Sequence, residues 1–142
     1  MDNEKKPWEM ARQAFRIESE AIIAALDRIP EAEFMRAVQA LAHAERIAAS
    51  GCGHSGIACM HFAHLMCCIE RSARFISPAE AVHGAMGYVK SGDVMLLASR
   101  GGKTKELLPI LEICRRKGAT VIAVTENLAS PLAEGADIVI PM

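Results

Sequence analysis

The sequence predicts an α/β protein built around a five-stranded, mainly parallel sheet with helices on both faces. Two observations support this prediction. From residue 46 onward, short apolar runs alternate with longer amphipathic ones, which is the pattern of β–α–β units. The loops after the first and third apolar runs are rich in glycine and serine, as is typical of ligand-binding loops at the carboxyl ends of parallel strands.

The first 45 residues are predicted to form two helices that precede the sheet. Apolar residues recur at helical spacing from Trp8 to Ile29, Pro30 ends that segment, and a second helix follows over Glu31–Glu45. These helices carry more apolar residues than one side of a small sheet requires. We therefore expect them to pack on the sheet and against a second subunit. The chain is predicted to be a single domain, with helices in residues 1–45 and the core in residues 46–142.

Five apolar runs in the rest of the chain predict strands, and helical patterns separate them. The strands are predicted at residues 46–50, 73–77, 93–99, 120–125 and 137–142. The helices are predicted at Ser55–Glu70, Lys103–Lys117 and Ser130–Ala133, with Gly118 as a helix C-cap. In the strand order 2-1-3-4-5 the direction of winding reverses between strands one and three. The loops after those two strands then lie side by side.

The composition excludes several classes of protein. Sixteen basic and seventeen acidic residues give a net charge of −1 without a run of either sign, which argues against a broad nucleic-acid or membrane surface. The first ten residues are charged and lack an apolar signal segment, and no stretch approaches the roughly 18 apolar residues of a membrane span. Five cysteines without framework spacing predict reduced thiols and a cytoplasmic location.

Two glycine-containing loops resemble nucleotide-binding motifs without meeting their requirements. The segment "SRGGKT", residues 99–104, ends like a P-loop, but the first glycine of that motif would fall at Leu97, inside a predicted buried strand. The segment "GCGHSG", residues 51–56, matches Gly-x-Gly-x-x-Gly. However, no acidic residue follows the second strand before Glu80 to bind a ribose hydroxyl. Dinucleotide binding remains a distant alternative, and no cofactor is predicted.

A site for a single phosphate group is the better interpretation of these two loops. Both are predicted to lead into helix N-termini, where free N–H groups and the helix dipole favour an anion. The residues predicted to bind this phosphate group are Gly53, Ser55, Ser99, Gly101, Gly102, Lys103 and Thr104. In the alternative interpretation, the hydroxyl groups only cap helices and the glycines only form turns. The meeting of two such loops at one sheet edge favours the phosphate site.

Three stretches together, "GCGHSGIAC", "SPAEAVHGAMG" and "SRGGKTKEL", resemble the SIS (sugar isomerase) domain, particularly its arabinose 5-phosphate isomerase-like branch. The resemblance covers residues 8–142. It implies a flavodoxin-like αβα sandwich that binds a phosphosugar, usually as a homodimer or homotetramer. It also implies that Ser55, Ser99 and Thr104 hold the phosphate together with the backbone of Gly101 and Gly102.

The sequence departs from that branch at several positions. His54 stands where lysine is usual, Gly101 replaces the second serine of the phosphate loop, and Lys103 stands where glutamate is common. Members of the family normally continue beyond the segment "IVIPM" with a candidate catalytic glutamate, closing helices and a later histidine. These departures affect the catalytic part of the resemblance more than the phosphate-binding part.

The resemblance implies aldose–ketose isomerisation of a sugar phosphate through an enediol. Such a reaction needs a base and a group that stabilises the developing oxyanion. Glu106 is the predicted base, His83 opens the sugar ring or shuttles protons, and His54 polarises the substrate. The alternatives are a first-turn helix carboxylate for Glu106, a backbone-bonded turn for His83, and a phosphate-pairing imidazole for His54. A second candidate function is a non-catalytic phosphosugar sensor or regulatory module.

One cluster of potential metal ligands lies outside these loops. His61, His64 and Cys68 fall at i, i+3 and i+7, on one face of a predicted helix. No second pair of ligands at recognisable spacing completes the site, so the sequence predicts no metal.

Overall fold

The computed structural model describes residues 6–142, so the first five residues of the predicted helical segment 1–45 lie outside the described range. Within this range the chain forms six α-helices, one 3-10 helix and five strands. The helices are α1 (Lys6–Arg28), α2 (Glu31–His43), α3 (Gly53–Cys68), α4 (Pro78–Ala81), the 3-10 helix (Ala85–Tyr88), α5 (Leu108–Lys117) and α6 (Pro131–Gly135). The strands are β1 (Ile47–Gly51), β2 (Ala73–Phe75), β3 (Val94–Ala98), β4 (Thr120–Thr125) and β5 (Ile138–Pro141).

All five strands are parallel and follow the order β2-β1-β3-β4-β5, which confirms the predicted fold class and topology. The pairing of β1 with β3 aligns Gly51 with Ala98, the last residues of the two strands. The loops that begin at residues 52 and 99 therefore leave the same edge of the sheet as neighbours.

Both faces of the sheet are covered, which explains why the strands are nearly continuous apolar runs. On one face, α4, α5, α6 and the 3-10 helix pack around Met95, Leu97 and Val121. On the other face, α2 and α3 pack around residues such as Ile47 and Ile122.

The two N-terminal helices differ in what they bury. Helix α2 contacts β5, and its Ala37 belongs to the core under α2 and α3. Helix α1 has no buried residue, although its side chains include Trp8, Phe15 and Ile22. No helix within residues 6–142 is both long enough and apolar enough to cross a membrane. The large apolar side chains of α1 are exposed in the single chain.

Helix α5 begins five residues later than the sequence prediction of Lys103–Lys117 placed it. Pro109 explains the difference, because proline lacks an N–H group and is tolerated only in the first turn of a helix. A helix starting at Lys103 would hold Pro109 in its interior. The chain instead forms a separate turn, closed by a 3.0 Å bond from the Leu107 N–H to the Thr104 carbonyl. The predicted C-cap is confirmed, since Gly118 is left-handed with φ 73°.

Candidate functional site

The loop after β1 is a tight strand-to-helix turn that only glycine fits. A Cβ atom added to Gly56 would lie 2.6 Å from the Gly51 carbonyl oxygen, and one added to Gly51 would lie 2.9 Å from the Ser55 backbone. Gly53 has a φ of 56°, in the left-handed region. The glycines of "GCGHSG" therefore bring the start of α3 directly onto the end of β1.

The first turn of α3 offers unpaired donors beside this turn. Its first backbone bond runs from the Gly56 N–H to the Cys52 carbonyl, at 3.3 Å. The N–H groups of Gly53, His54 and Ser55 therefore have no acceptor within the helix. Cys52, the N-cap residue, provides no side-chain cap. Donors of this kind at the positive end of a helix dipole are suited to an anion.

The loop after β3 is organised around a pair of hydroxyl groups. Ser99 Oγ lies 2.7 Å from Thr104 Oγ1 and also accepts a 3.2 Å bond from the Gly102 N–H. Ser99 is only 4% exposed, whereas Thr104 is half-buried. One hydrogen of the two hydroxyl groups suffices for the bond between them. Either hydroxyl group can donate this bond; when Ser99 is the donor, the hydrogen of the more exposed Thr104 is free to donate to a ligand.

Several backbone N–H groups of this loop also lack acceptors. Among residues 6–142, those of Gly101, Lys103 and Thr104 donate no hydrogen bond, whereas that of Gly102 donates to Ser99. The Gly102 N–H thus makes an internal bond that shapes the loop. The free amides of Gly101, Lys103 and Thr104 and the hydroxyl group of Thr104 therefore lie together on the segment that follows β3.

Residues 125–132, which the sequence reasoning did not assign to the site, pack against this loop and hydrogen-bond to it. Gly102 has a φ of 65°, and a Cβ atom there would lie 1.9 Å from Ser130 Oγ. The Leu132 N–H donates to the Gly102 carbonyl at 3.2 Å, and Thr125 Oγ1 donates to the Arg100 carbonyl at 3.0 Å. Thr125 ends β4, and Ser130 directly precedes Pro131 at the start of α6. Their position after the strand next to β3 is the signal that would have identified them.

The two loops leave neighbouring strands, so a charge on one acts on a thiol of the other. Burial raises the pKa of the Cys52 thiol, and the negative charge of Glu106 raises it further. Cys52 belongs to the loop after β1, and Glu106 belongs to the turn before α5. Because β1 and β3 end at the same edge of the sheet, Glu106 and the start of α3 both belong to segments that leave that edge.

This electrostatic effect predicts how fast Cys52 is alkylated. Removing the Glu106 charge with Glu106→Gln lowers the Cys52 pKa, so a larger fraction is thiolate near pH 8. We expect faster reaction with iodoacetamide, followed at the Cys52 peptide by mass spectrometry. Glu112→Gln, which removes a carboxylate from α5, serves as the control and should leave the rate unchanged. Equal alkylation rates in the wild-type and Glu106→Gln proteins would show that Glu106 lies too far from Cys52 to affect its pKa.

The remaining predicted site residues are exposed. His54 is the second residue of α3, Lys103 lies in the phosphate loop, and His83 lies in the turn between α4 and the 3-10 helix. Within residues 6–142, neither imidazole makes a side-chain hydrogen bond or an ion pair. The structure thus brings Ser99, Gly102 and Thr104 together, and within residues 6–142 it shows no side-chain hydrogen bond or ion pair between His83 and the phosphate loops.

The histidine–cysteine cluster on α3 is only partly assembled. His64 Nε2 lies 3.7 Å from Cys68 Sγ, and Cys67 Sγ instead donates to the Ala73 carbonyl at 3.2 Å. Residues 6–142 contain no group of three or more histidine, cysteine or carboxylate side chains arranged to hold a metal ion.

A parallel sheet in this order, with two phosphate-type loops at its reversal point, defines a class of ligand-binding α/β domain. The family profile of the SIS domain matches residues 40–142. The chain therefore belongs to the SIS domain family.

Two curated relatives are similar over most of this chain. Arabinose 5-phosphate isomerase KdsD of Pseudomonas aeruginosa is 34% identical over 129 residues, which is 90% of this chain and 39% of that protein. Arabinose 5-phosphate isomerase GutQ of Salmonella typhimurium is 37% identical over 117 residues, covering 80% of this chain and 36% of that protein. The chain thus spans well under half the length of these relatives.

Solved structures share the fold. A proposed sugar-phosphate isomerase of Listeria monocytogenes has a TM-score of 0.90 and 38% identity, covering 93% of this chain and 70% of that one. E. coli CFT073 c3406, solved in complex with a sugar phosphate, has a TM-score of 0.78 and 26% identity, covering 92% and 72%. Vibrio vulnificus NanR, complexed with ManNAc-6P, has a TM-score of 0.86, covering 93% and 50%. At 20% identity, NanR shows the common fold alone.

Proposed function

We propose that residues 51–56 and 99–106 bind the phosphate group of a sugar phosphate. The observation that carries this proposal is the set of unpaired donors on two neighbouring loops. The first-turn amides of α3 lie on one loop, and the amides of Gly101, Lys103 and Thr104 lie on the other with the Thr104 hydroxyl group. A phosphate group near neutral pH is almost entirely an acceptor of hydrogen bonds, so a donor-rich site suits it. Ser55 adds a second hydroxyl group to the site.

Charge near the loop supports the binding of an anion. Lys103 is exposed within the phosphate loop, and its ammonium group would pair with the phosphate. Arg100 is already engaged by Glu126, at 2.8 Å, so it adds little free positive charge. The charge of Lys103 would partly compensate for the hydroxyl group that the loop lacks at Gly101.

We further propose that the site isomerises an aldose phosphate to a ketose phosphate. Glu106 would remove the proton from C2 and deliver it to C1 of the enediol. His54 would stabilise the developing oxyanion, and His83 would assist ring opening. The similarity to two arabinose 5-phosphate isomerases supports this chemistry, although those proteins are more than twice as long.

The alternative is a phosphosugar sensor that binds without turnover. The sensor is favoured because phosphate binding and catalysis would use different residues. The free donors that would hold the phosphate do not depend on Glu106 or His83. An assay with arabinose 5-phosphate separates the two functions. The isomerase is expected to form the ketose phosphate, and Glu106→Gln is expected to abolish turnover while binding persists. Saturable binding with no ketose formed by the wild-type chain would establish the sensor instead.

Thermal unfolding with a panel of ligands tests the binding proposal itself. A ligand present at 100 times its Kd stabilises the folded chain by about 2.7 kcal/mol, which raises Tm by roughly 5–10 °C for a domain of this size. Arabinose 5-phosphate and other five- and six-carbon sugar phosphates are expected to include at least one that does so. ATP, NAD(P) and unphosphorylated arabinose serve as controls. A shift with NAD(P) but with no sugar phosphate would favour the dinucleotide alternative.

Restoring a hydroxyl group at Gly101 is expected to tighten phosphate binding. A Cβ atom at this position meets no atom within 4 Å, and its φ lies outside the left-handed region, so Gly101→Ser is tolerated. A new bond to a charged phosphate contributes about 1.5–3 kcal/mol, or roughly 10-fold or more in Kd. Calorimetric titration of both proteins measures the change, with Gly101→Ala as the control. Unchanged affinity in Gly101→Ser would place the phosphate away from residue 101.

We also infer a cytoplasmic location from the five free cysteines. Burial raises the pKa of two of them, Cys59 to about 11 and Cys114 to about 12, which makes those thiols unreactive. We further propose that the chain is one domain, with helices in residues 1–45 and the core in residues 46–142. We also propose that it assembles as a homodimer or homotetramer through residues 1–45.

A further inference from the structure

A second cluster of basic and hydroxyl side chains lies near the amino ends of the strands, at the opposite edge of the sheet from the phosphate loops. Its members come from the starts of β1 and β2 and from the 3-10 helix with the turn after it. The Ile47 N–H donates to the Ser72 carbonyl at 2.8 Å, so the two strands begin side by side. We call this group the Tyr88 cluster; it consists of Arg46, Ser72, Arg74, Tyr88 and Lys90.

The Tyr88 ring holds two guanidinium groups. The Cζ atom of Arg74 lies over the ring at 5.0 Å from its centroid, and that of Arg46 lies over it at 5.7 Å. These are the distances of cation–π contacts. Tyr88 is half-buried and packs against the main core, so the ring is a fixed support. Two positive charges are therefore kept against one ring despite their mutual repulsion.

A buried carboxylate orients Arg46. The Arg46 Nε–H donates to Asp93 Oδ1 at 3.2 Å, and the Lys90 backbone N–H donates to Asp93 Oδ2 at 2.8 Å. The Asp93 side chain is only 2% exposed, so both of its oxygens are engaged inside the protein. Within residues 6–142, the two terminal nitrogens of Arg46 make no hydrogen bond. They remain available to donate to a ligand.

The other members of the cluster are donors without acceptors. In the part of the chain that the structure describes, the side chains of Arg74 and Lys90 form no hydrogen bond or ion pair, and both are exposed. Ser72 Oγ and Tyr88 Oη lie 3.5 Å apart, so one can donate to the other while the second donates elsewhere. Three positive charges face the single negative charge of Asp93. This excess of charge and of donors suits an oxygen anion.

We propose that the Tyr88 cluster binds a small anion that carries a phosphate or diphosphate group, at a site separate from the phosphate loops. The terminal nitrogens of Arg46 and Arg74 donate to the phosphate oxygens, because a guanidinium group matches phosphate with two parallel N–H bonds. Lys90 adds a third positive charge.

Strand β1 separates this site from the phosphate loops. Its five residues, at about 3.3 Å each, place the two edges of the sheet roughly 15 Å apart. One small anion cannot touch both edges. The second site therefore does not depend on the binding of a sugar phosphate, and either site can be disabled without the other.

An NMR titration of the ¹⁵N-labelled chain with pyrophosphate, at a constant ionic strength of about 0.15 M, tests the proposal. Saturable shifts are expected at the amides of Ser72, Arg74, Tyr88 and Lys90. Arg74→Gln is expected to weaken this binding by roughly 10-fold or more, because it removes a charged donor. Arg16→Gln removes the same charge from the exposed helix α1 and should leave the affinity unchanged. Shifts that do not saturate, or equal affinities of the two variants, would overturn the proposal.

Two substitutions of Tyr88 test its role as the support for the arginines. Tyr88→Phe keeps the ring and is expected to bind pyrophosphate within a few-fold of the wild type. Tyr88→Leu keeps an apolar side chain but loses both cation–π contacts, so binding should weaken by about 5-fold or more. Circular dichroism first establishes that both variants are folded. Equal affinities of the two variants would overturn the role of the ring.

The Thr104→Val variant distinguishes this site from the phosphate loops. Its alteration lies at the other edge of the sheet, so pyrophosphate should still shift the amides of the Tyr88 cluster with unchanged affinity. Repeating the titration with inorganic phosphate shows whether one phosphate group suffices or two are needed. Shifts confined to residues 51–56 and 99–106 with both probes would overturn the second site and leave the proposed sugar-phosphate site standing.

Discussion

Replacing Gly102 with alanine is expected to disrupt the phosphate loop and to abolish sugar-phosphate binding. The added Cβ atom would lie 1.9 Å from Ser130 Oγ, and the φ of 65° is unfavourable for any residue with a Cβ. The left-handed conformation costs about 1–2 kcal/mol and the overpacking about 1–3 kcal/mol, so the free energy of unfolding should fall by about 2–5 kcal/mol. Urea unfolding and calorimetric titration measure the two effects.

Gly101→Ala is the matched control for this prediction. It adds the same methyl group one residue earlier, where nothing lies within 4 Å and φ is not positive. Its stability should equal or slightly exceed that of the wild type, because alanine reduces the freedom of the unfolded chain. If Gly102→Ala were as stable as Gly101→Ala, the close packing of the phosphate loop on Ser130 would be incorrect.

Thr104→Val is expected to weaken sugar-phosphate binding by about 10- to 100-fold, which corresponds to one lost hydrogen bond to a charged group. Valine keeps the shape of threonine but removes both the free hydroxyl donor and the 2.7 Å partner of Ser99. Stability should fall by only about 1 kcal/mol, since Ser99 keeps its bond from the Gly102 N–H. Calorimetric titration with the sugar phosphate gives the change in Kd.

Thr104→Ser provides the comparison, because it retains the hydroxyl group and loses only a methyl group. Its affinity is expected to stay within a few-fold of the wild type. Equal affinities for Thr104→Val and Thr104→Ser would remove Thr104 from the set of residues that touch the phosphate.

The sheet was predictable from the sequence because its strands are continuous apolar runs separated by glycine-rich loops. β4 begins and ends at the predicted residues, and the strand order agrees as well. The predicted start of α5 was wrong because Lys103–Glu106 contains no glycine or proline that marks a helix boundary. Only the position of Pro109 separates the preceding turn from the helix.

The candidate site was predictable in part. Ser99 and Thr104 belong to one short segment, so their spacing in the sequence already indicated that they act together. Thr125 and Ser130 support the same loop from another segment, and only the pairing of β3 with β4 brings them there. Periodicity likewise identified the apolar residues of α1, which the structure leaves exposed.

The most direct test of the phosphate site is an NMR titration of the ¹⁵N-labelled chain with arabinose 5-phosphate. Free backbone amides that bind an anion change their chemical shifts strongly. The largest changes are expected at Gly53, His54, Ser55, Gly101, Lys103 and Thr104, with none of comparable size upon adding unphosphorylated arabinose. Shifts that saturate at these residues would establish that the two loops bind the phosphate together. Saturable shifts confined to other residues, or equal shifts with arabinose, would contradict the proposed site.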